Sequence, residues 1–241
     1  MAWPLAKSGG LRQGEAMVPF SFSSQEMHLV GGRALYWPRE QALLVADMHL
    51  EKASFFARAG QMLPPYDSRE TLERLALAIR QTGARRVFAL GDNFHDSHGT
   101  DRIEPHAAGM LAALTRAVDW VWITGNHDAD LAGGIGGEVI GEIVVAGVAL
   151  RHIARPGACE PEISGHFHPR LTISARGRRI ARPCAVGSER RMILPAFGAL
   201  TGGLNAADPA ILAAMQPAAA IDAIVPATGR LIRYPLWRAA A

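Results

Sequence analysis

Four short polar stretches punctuate this 241-residue chain, and each one directly follows an apolar run. Asp47-Met48-His49 follows Leu43-Leu44-Val45-Ala46, and Gly91-Asp92-Asn93-Phe94-His95-Asp96 follows Val87-Phe88-Ala89-Leu90. Gly125-Asn126-His127-Asp128 follows Val121-Trp122-Ile123-Thr124, and Gly165-His166-Phe167-His168 follows the short Glu162-Ile163-Ser164. Apolar runs of this length bounded by turn residues read as buried strands, and strands that carry polar residues at their far ends deliver them to one place.

The residue types at those ends are metal ligands. On an extended segment, side chains at i and i+2 point to the same side, so Asp47 and His49 are expected to grip one ion while Met48 points away. The same spacing applies to His166 and His168, with Gly165 leaving backbone room that a side chain would fill. Asp92 offers a carboxylate able to bridge two cations, and Asn126 a neutral carbonyl oxygen. Oxygen and imidazole donors without thiolate suit Mn, Fe or Zn. Two ions sharing one aspartate would lie about 3.5–4 Å apart. Any one stretch alone is more often a cap or a turn than a ligand; four in order change that.

Composition narrows the class. Hydrophobic residues at 49% and charged residues at 20% exclude general disorder, and no apolar stretch approaches the ~20 residues of a membrane span. One domain over residues 17–241 is expected. Met1–Ala16 reads as a flexible extension without a signal-peptide core, and Met17 is a second candidate start. Two isolated cysteines, Cys159 and Cys184, point to a reduced, cytoplasmic setting. The net charge of +3 decides nothing by itself. Arg176, Arg178, Arg179, Arg182, Arg190 and Arg191 cluster after the last polar block, either as a solvated face or as contacts to a phosphate backbone.

The remaining pattern suits an α/β fold of two mixed sheets flanked by helices. Glu51 to Pro65 reads as a loop whose Lys52, Phe55, Phe56 and Arg58 either line a substrate groove or pack on the core. A helix is expected from Asp67, with Glu70 completing a capping box, Leu72, Leu75, Ala76 and Ile79 on one face, and Gly83 as its end. Ile103 to Ala117 gives a second helix, so the order β-α-β recurs. Strands and hairpins follow from Ile143, with turns at Gly147, Arg176-Gly177-Arg178 and Ala227-Thr228-Gly229, and a short helix opens at Asp208-Pro209. Gly133 to Gly137 lacks the Lys and the strand-loop-helix setting of a phosphate-binding loop and reads as a loop near the site.

Taken together, the blocks resemble the calcineurin-like metallophosphoesterase superfamily, whose pattern is Asp-x-His, Gly-Asp, Gly-Asn-His-Asp, a solitary His and Gly-His-x-His. His152 is the only histidine between the third and last blocks; its other reading is a half-buried structural histidine. The resemblance implies a β-sandwich of two mixed sheets flanked by helices. It implies one ion on Asp47, His49, Asp92 and His168, and a second on Asp92, Asn126, His152 and His166. It also implies a non-ligand catalytic role for His127, with Asp128 orienting its ring. His95 matches an additional active-site histidine of DNA-repair nucleases in the superfamily, or is a polar loop residue.

From Ala34 to Leu204 the chain is most similar to the ligase-associated DNA damage response endonucleases. The marks are Leu44-Val45-Ala46-Asp47-Met48-His49-Leu50-Glu51-Lys52-Ala53, Gly165-His166-Phe167-His168-Pro169, Leu194-Pro195-Ala196-Phe197-Gly198 and Thr201-Gly202-Gly203. That similarity implies a binuclear endonuclease, with manganese foremost and iron or zinc as alternatives, cutting single-stranded or unpaired DNA in repair. It implies functional association with a DNA ligase and a helicase, and no membrane. Lys52, Arg178 and Arg179 are the candidate substrate contacts. Two rival readings are a phosphatase or phosphodiesterase acting on a small metabolite or nucleotide, and a binding module that keeps the fold without catalysis.

Overall fold

In the computed structural model the described residues are 17–128, 131, 135–175, 177–227 and 229–240. The Met1–Ala16 extension and Gly133-Gly134 of the glycine-rich stretch lie outside them. One sheet keeps chain order: β1 (Val18–Phe22), β2 (Gln25–Val30), β3 (Ala34–Trp37), β4 (Ala42–Val45), β5 (Arg86–Leu90), β6 (Asp119–Ile123) and β7 (Glu138–Ile140). Between β4 and β5 run α1 (Lys52–Arg58) and α2 (Asp67–Thr82), and between β5 and β6 run α3 (Gly99–Arg102) and α4 (Pro105–Ala117). The later strands are β8 (Ile143–Val145), β9 (Val148–Leu150), β10 (Glu162–Ser164), β11 (Arg170–Ala175), β12 (Arg178–Pro183), β13 (Ala185–Gly187), β14 (Arg191–Ile193), β15 (Ala220–Ala227) and β16 (Arg230–Arg238), with α5 (Pro209–Ala214) before the last two. They form a second sheet in the order β16-β15-β13-β14-β10-β9-β8, while β11 and β12 pair as a separate hairpin.

The two sheets pack face to face. Leu35, Trp37, Leu44, Phe88 and Ile123 from the first meet Leu150, Ile163, Met192 and Ile224 from the second. On the outer face of the first sheet, Leu43, Val45, Val87, Ala89 and Trp122 are covered by Leu72, Leu75 and Ala78 of α2 and Leu111 of α4. Strands covered on both faces have no need to alternate, which is why β4 and most of β5 and β6 read as continuous apolar runs. The outer face of the second sheet carries Val186, Ile193 and Ile221 against Ile211, Ala214 and Met215. Strands β4, β5, β6 and β7 are mutually parallel, as are β9, β10 and β14. No helix among the described residues is long and apolar enough to cross a membrane.

Three local expectations are corrected. The segment expected as a loop from Glu51 holds a seven-residue helix, α1. It is too short for helical periodicity to declare it, and its start is tied from outside: Asp67 Oδ2 accepts the Ala53 N–H, and Ser68 Oγ accepts the Glu51 N–H. Asp67 is therefore not the cap of its own helix, where Tyr66 holds the N-cap position without a side-chain bond. The helix expected from Ile103 to Ala117 is α4, starting two residues later behind the short α3, since Glu104 caps it by accepting from the His106 and Ala107 N–H groups, with Pro105 at its first position. Gly83, in the left-handed conformation, does end α2, and Asp208 does cap α5.

Glu162, the first residue of β10, is fully buried between two arginines. Its carboxylate accepts from Arg151 Nη1 at 2.7 Å and Arg191 Nε at 3.0 Å, and also from the Arg155 N–H. Arg191 is thereby removed from the arginine cluster that read as a solvated face or as phosphate contacts, and Arg190 is turned onto the Cys159 carbonyl. Glu162→Ala should destabilise the fold by about 3–5 kcal/mol, because it leaves the buried Arg191 guanidinium without its counter-charge, while Arg151 keeps Glu142 and Glu160. Chemical denaturation measures this, and a change below about 1 kcal/mol would refute the assignment.

Candidate metal centre

The polar blocks all leave the C-terminal ends of strands at one end of the sandwich. Asp47 and His49 follow β4, Asp92 and His95 follow β5, and Asn126 to Asp128 follow β6. From the second sheet, His152 follows β9, while His166 and His168 follow β10. Loops from both sheets are laced together. The His166 N–H donates to the Asp47 carboxylate at 2.9 Å, and the Asp47 N–H donates to the Gly91 carbonyl. A Cβ on Gly165 would meet Asp47 Oδ2 and Ala46, so the expected need for room at that glycine is a close approach between the two loops.

The expected extended geometry does not hold. Strand β4 ends at Val45, and Asp47, His49, Asp92, His166 and His168 all have left-handed backbones, with φ of 53°, 44°, 47°, 74° and 48°. Left-handed residues, rather than strand alternation, bring Asp47 to His49, and they send His166 and His168 to different donor groups, against the expectation that the pair grips one ion. Met48 still points away, buried with Leu50 and Phe197. Such conformations cost roughly 1 kcal/mol or more per non-glycine residue and persist where surrounding bonds over-determine them.

Three donor groups result among the described residues: His49, His95 and His127 come together in one, and the other two share Asp92. In the first of those two, one ligand atom from each of Asp47, His49, Asp92 and His168 lies within 4.8 Å of the others; in the second, the same is true of Asp92, His152 and His166. His49 Nε2 stands 3.2 Å from His168 Nε2, and His168 Nε2 stands 3.3 Å from Asp47 Oδ1. The His152 ring uses Nδ1 to donate to the Leu90 carbonyl, which leaves Nε2 as a lone pair in the neutral ring. That nitrogen faces Asn126 Oδ1 at 3.0 Å, Asp92 Oδ1 at 3.3 Å and His166 Nδ1 at 3.2 Å. Acceptors converging on one buried point need a cation between them, so the donor set fits a metal ion at each of the groups that share Asp92.

The electrostatics agree. Burial, reinforced by the neighbouring His168, drives His49 down to about 2, the neutral form that binds metal. Burial pushes Asp92 up, but the hydrogen bond and charge of His152, with the His127 N–H and His49, overcome it and hold the carboxyl below its usual range. Burial disfavours charge on His152 too, yet Asp92 and Asp47 raise it, because the acceptors that suit a cation also suit a proton.

His127 stands at the open side of the centre. Its Nδ1 donates to the His95 carbonyl at 2.8 Å, so Nε2, 3.9 Å from Asp92 Oδ2, is the nitrogen that faces the centre. The expected partner of this ring, Asp128, lies elsewhere. Its buried carboxylate accepts from the backbone N–H groups of Gly125, Asn93 and Phe94, joining the loops after β5 and β6. A carboxylate at that position is consumed by three backbone donors and has none of its geometry left for the ring. The His95 ring stacks on His127 with centroids 5.2 Å apart and on Phe56 at 5.5 Å, and its Nδ1 lies 3.2 Å from His49 Nδ1. Phe55 meets His95 edge-on and is exposed, and half-buried Lys52 adds positive charge beside His95 and His49.

Arg178 and Arg179 are not brought to this cluster. They lie at the outer end of the β11–β12 hairpin, where Ala175 pairs with Arg178. That is roughly 17 Å along the strand from Arg170 at its base. The sequence reading also missed a backing strap. In residues 196–204, the Phe197 and Gly198 N–H groups donate to the Ala46 and Asp47 carbonyls, and the Leu204 N–H donates to the Phe167 carbonyl. Arg33 Nη1 donates to the Ala196 carbonyl at 2.6 Å and Arg74 Nη1 to the Phe197 carbonyl at 2.7 Å, fixing the strap from behind. Leu194–Gly198 and Thr201–Gly203 were visible as motifs, but nothing in the sequence tied Arg33 or Arg74 to them.

A family model described as calcineurin-like phosphoesterase matches residues 41–158. The crystal structure of Pseudomonas putida nuclease MPE is 28% identical, with a TM-score of 0.70, covering 91% of this chain and 100% of that one. Yfce, a phosphoesterase from E. coli, is 14% identical with a TM-score of 0.41, covering 81% of this chain and 98% of that one. No curated protein matches the chain.

Proposed function

Starting from the fact that this chain carries a calcineurin-like phosphoesterase domain, we propose that it is a binuclear, metal-dependent phosphodiesterase acting as an endonuclease on single-stranded or unpaired DNA. The observation that carries the phosphodiesterase reading is the pair of donor groups sharing Asp92, with His127 Nε2 beside them. Asp47, His49, Asp92 and His168 would hold one ion, and Asp92, Asn126, His152 and His166 the other. Two bound divalent ions supply charge for the phosphoryl oxygens and activate a water for in-line attack. Manganese is the proposed metal, with iron or zinc as alternatives.

The chain's own groups do the rest. The His95 carbonyl holds Nδ1–H of His127, so a proton carried on Nε2 points at the reacting phosphate and passes to the leaving oxygen. The His95 ring, wedged between Phe56 and His127, keeps that orientation. Asp128 positions the two loops rather than the ring.

Similarity to a nuclease supports DNA as substrate. Phe55, exposed beside His95, offers an aromatic surface on which an unpaired base would stack, and Lys52 a charge for its phosphate. Arg178 and Arg179 are proposed as distal phosphate contacts. A role in DNA repair, alongside a ligase and a helicase in the cytoplasm, belongs to the same reading. Circular single-stranded DNA tests it, because a closed circle offers no end to an exonuclease or a phosphomonoesterase. With Mn²⁺ the circle should become linear fragments. An intact circle under conditions where a small nucleotide is rapidly hydrolysed would favour a metabolite phosphatase.

A further inference from the structure

The strap that backs the metal loops carries a feature that metal binding does not use. The backbone N–H groups of Thr201, Gly202 and Gly203 make no hydrogen bond to another described residue, and both glycines are exposed. A Cβ on Gly203 would collide with the carbonyl of His168, so this open stretch passes directly against a residue of the first donor group. Three arginines border the strap. The guanidiniums of Arg33 and Arg74 donate to its start, at Ala196 and Phe197, while the Arg170 backbone pairs with its end at Leu204 and Ala206 and the Arg170 guanidinium reaches the Ala181 carbonyl at 3.4 Å.

These cations repel one another. Burial, then the charges of Arg74 and Arg170, lowers Arg33 to about 10, with only Glu70 opposing. Glu70 is already bound to Arg74 at 3.0 Å. Arg33 and Arg74 share one carboxylate, Arg170 is close enough to Arg33 to repel it, and beside them runs a stretch of backbone N–H groups without a partner among the described residues, which makes a site in want of an anion.

We propose that Thr201-Gly202-Gly203, with Arg33 and Arg170, forms a subsite for a backbone phosphate adjacent to the scissile one on a nucleic-acid strand. This rests on the phosphodiesterase reading and adds to it a reason for choosing a polymer over a small ester, which has no second phosphate to place there. The strand would run from the Phe55 side of the centre, across the metal-binding groups, to the strap. Its nearest cationic contacts are then at the base of the β11–β12 hairpin rather than at its tip.

Binding of a labelled single-stranded oligonucleotide to metal-free protein, measured by fluorescence anisotropy across salt concentrations, tests the subsite without catalysis. Arg33→Gln with Arg170→Gln should weaken binding roughly 10-fold or more at low salt and flatten the log–log salt slope by about 0.7, the value for one lost phosphate contact on a single strand. Arg33 also holds the strap, so Gly202→Asp is the independent variant. A Cβ there meets nothing within 4 Å, and the carboxylate would enter the cradle. It should cut kcat/KM on an oligonucleotide at least ~10-fold more than on bis(p-nitrophenyl) phosphate. Equal losses on the two substrates, or an unchanged salt slope, would overturn the subsite while leaving the phosphodiesterase reading intact. A wild-type protein that hydrolyses neither substrate with metal present would overturn both.

Discussion

Asp92→Ala is expected to empty both ion sites together, taking metal content from two ions per chain toward none and phosphodiester turnover to background. The carboxylate is the one group common to both donor sets. Its Oδ1 lies 3.3 Å from His152 Nε2 and its Oδ2 3.7 Å from His49 Nε2, so a single side chain faces both groups. Without it, the imidazoles of His49 and His168, and those of His152 and His166, face each other with less anionic charge to balance a dication. Oδ1 also accepts the His127 N–H, and Asp92→Asn keeps that acceptor while removing the charge. Comparing the two variants by elemental analysis separates loss of metal from loss of loop shape. Undiminished metal content in Asp92→Ala would remove the shared-ligand assignment.

The gathering of the candidate donor residues was legible because they arrive in short blocks at strand ends, and a parallel sheet collects such ends without long-range information. Asp47, Asp92, His152 and His168 gather as the block order implied. What was not legible is how the backbone does it. The i, i+2 rule joined Asp47 to His49 for the wrong reason and joined His166 to His168 where the two fall in different donor groups, since left-handed φ values at five non-glycine positions have no local sequence signature when tertiary bonds impose them. The same holds for Asp128 and Asp67. Each reads as serving its neighbours in sequence, and each instead serves backbone donors brought in from another loop or helix. Arg191 failed differently. Composition shows a cluster of arginines but not which of them a buried glutamate will claim, and Glu162 sits in a segment that reads only as a short strand. The tail motifs Leu194–Gly198 and Thr201–Gly203 were visible as patterns, yet their physical content, a strap bonded to the Ala46, Asp47 and Phe167 carbonyls, appears only once segments some 150 residues apart are in contact.

His127→Ala should behave in the opposite way to Asp92→Ala, keeping both ions and losing ~10²–10⁴-fold in kcat, the usual contribution of a positioned general acid. The ring closes on His49 and His95 but belongs to neither of the two donor groups that share Asp92, and its Nδ1 is committed to the His95 carbonyl, so its removal should leave the atoms of those two groups in place. KM for a small diester should move far less than kcat, because the proton is needed only as the leaving oxygen departs. The stacked His95 ring adds a sharper test. His95→Ala retains the carbonyl that holds His127 but removes the ring packed against it, so the variant should lose turnover by a smaller factor. If the His95 ring acts through His127, the double variant should be no slower than His127→Ala alone; additive losses would instead give His95 a catalytic contact of its own. Loss of metal from His127→Ala, measured by elemental analysis before any assay, would show that the ring is a ligand and would take the proton-delivery role away from it.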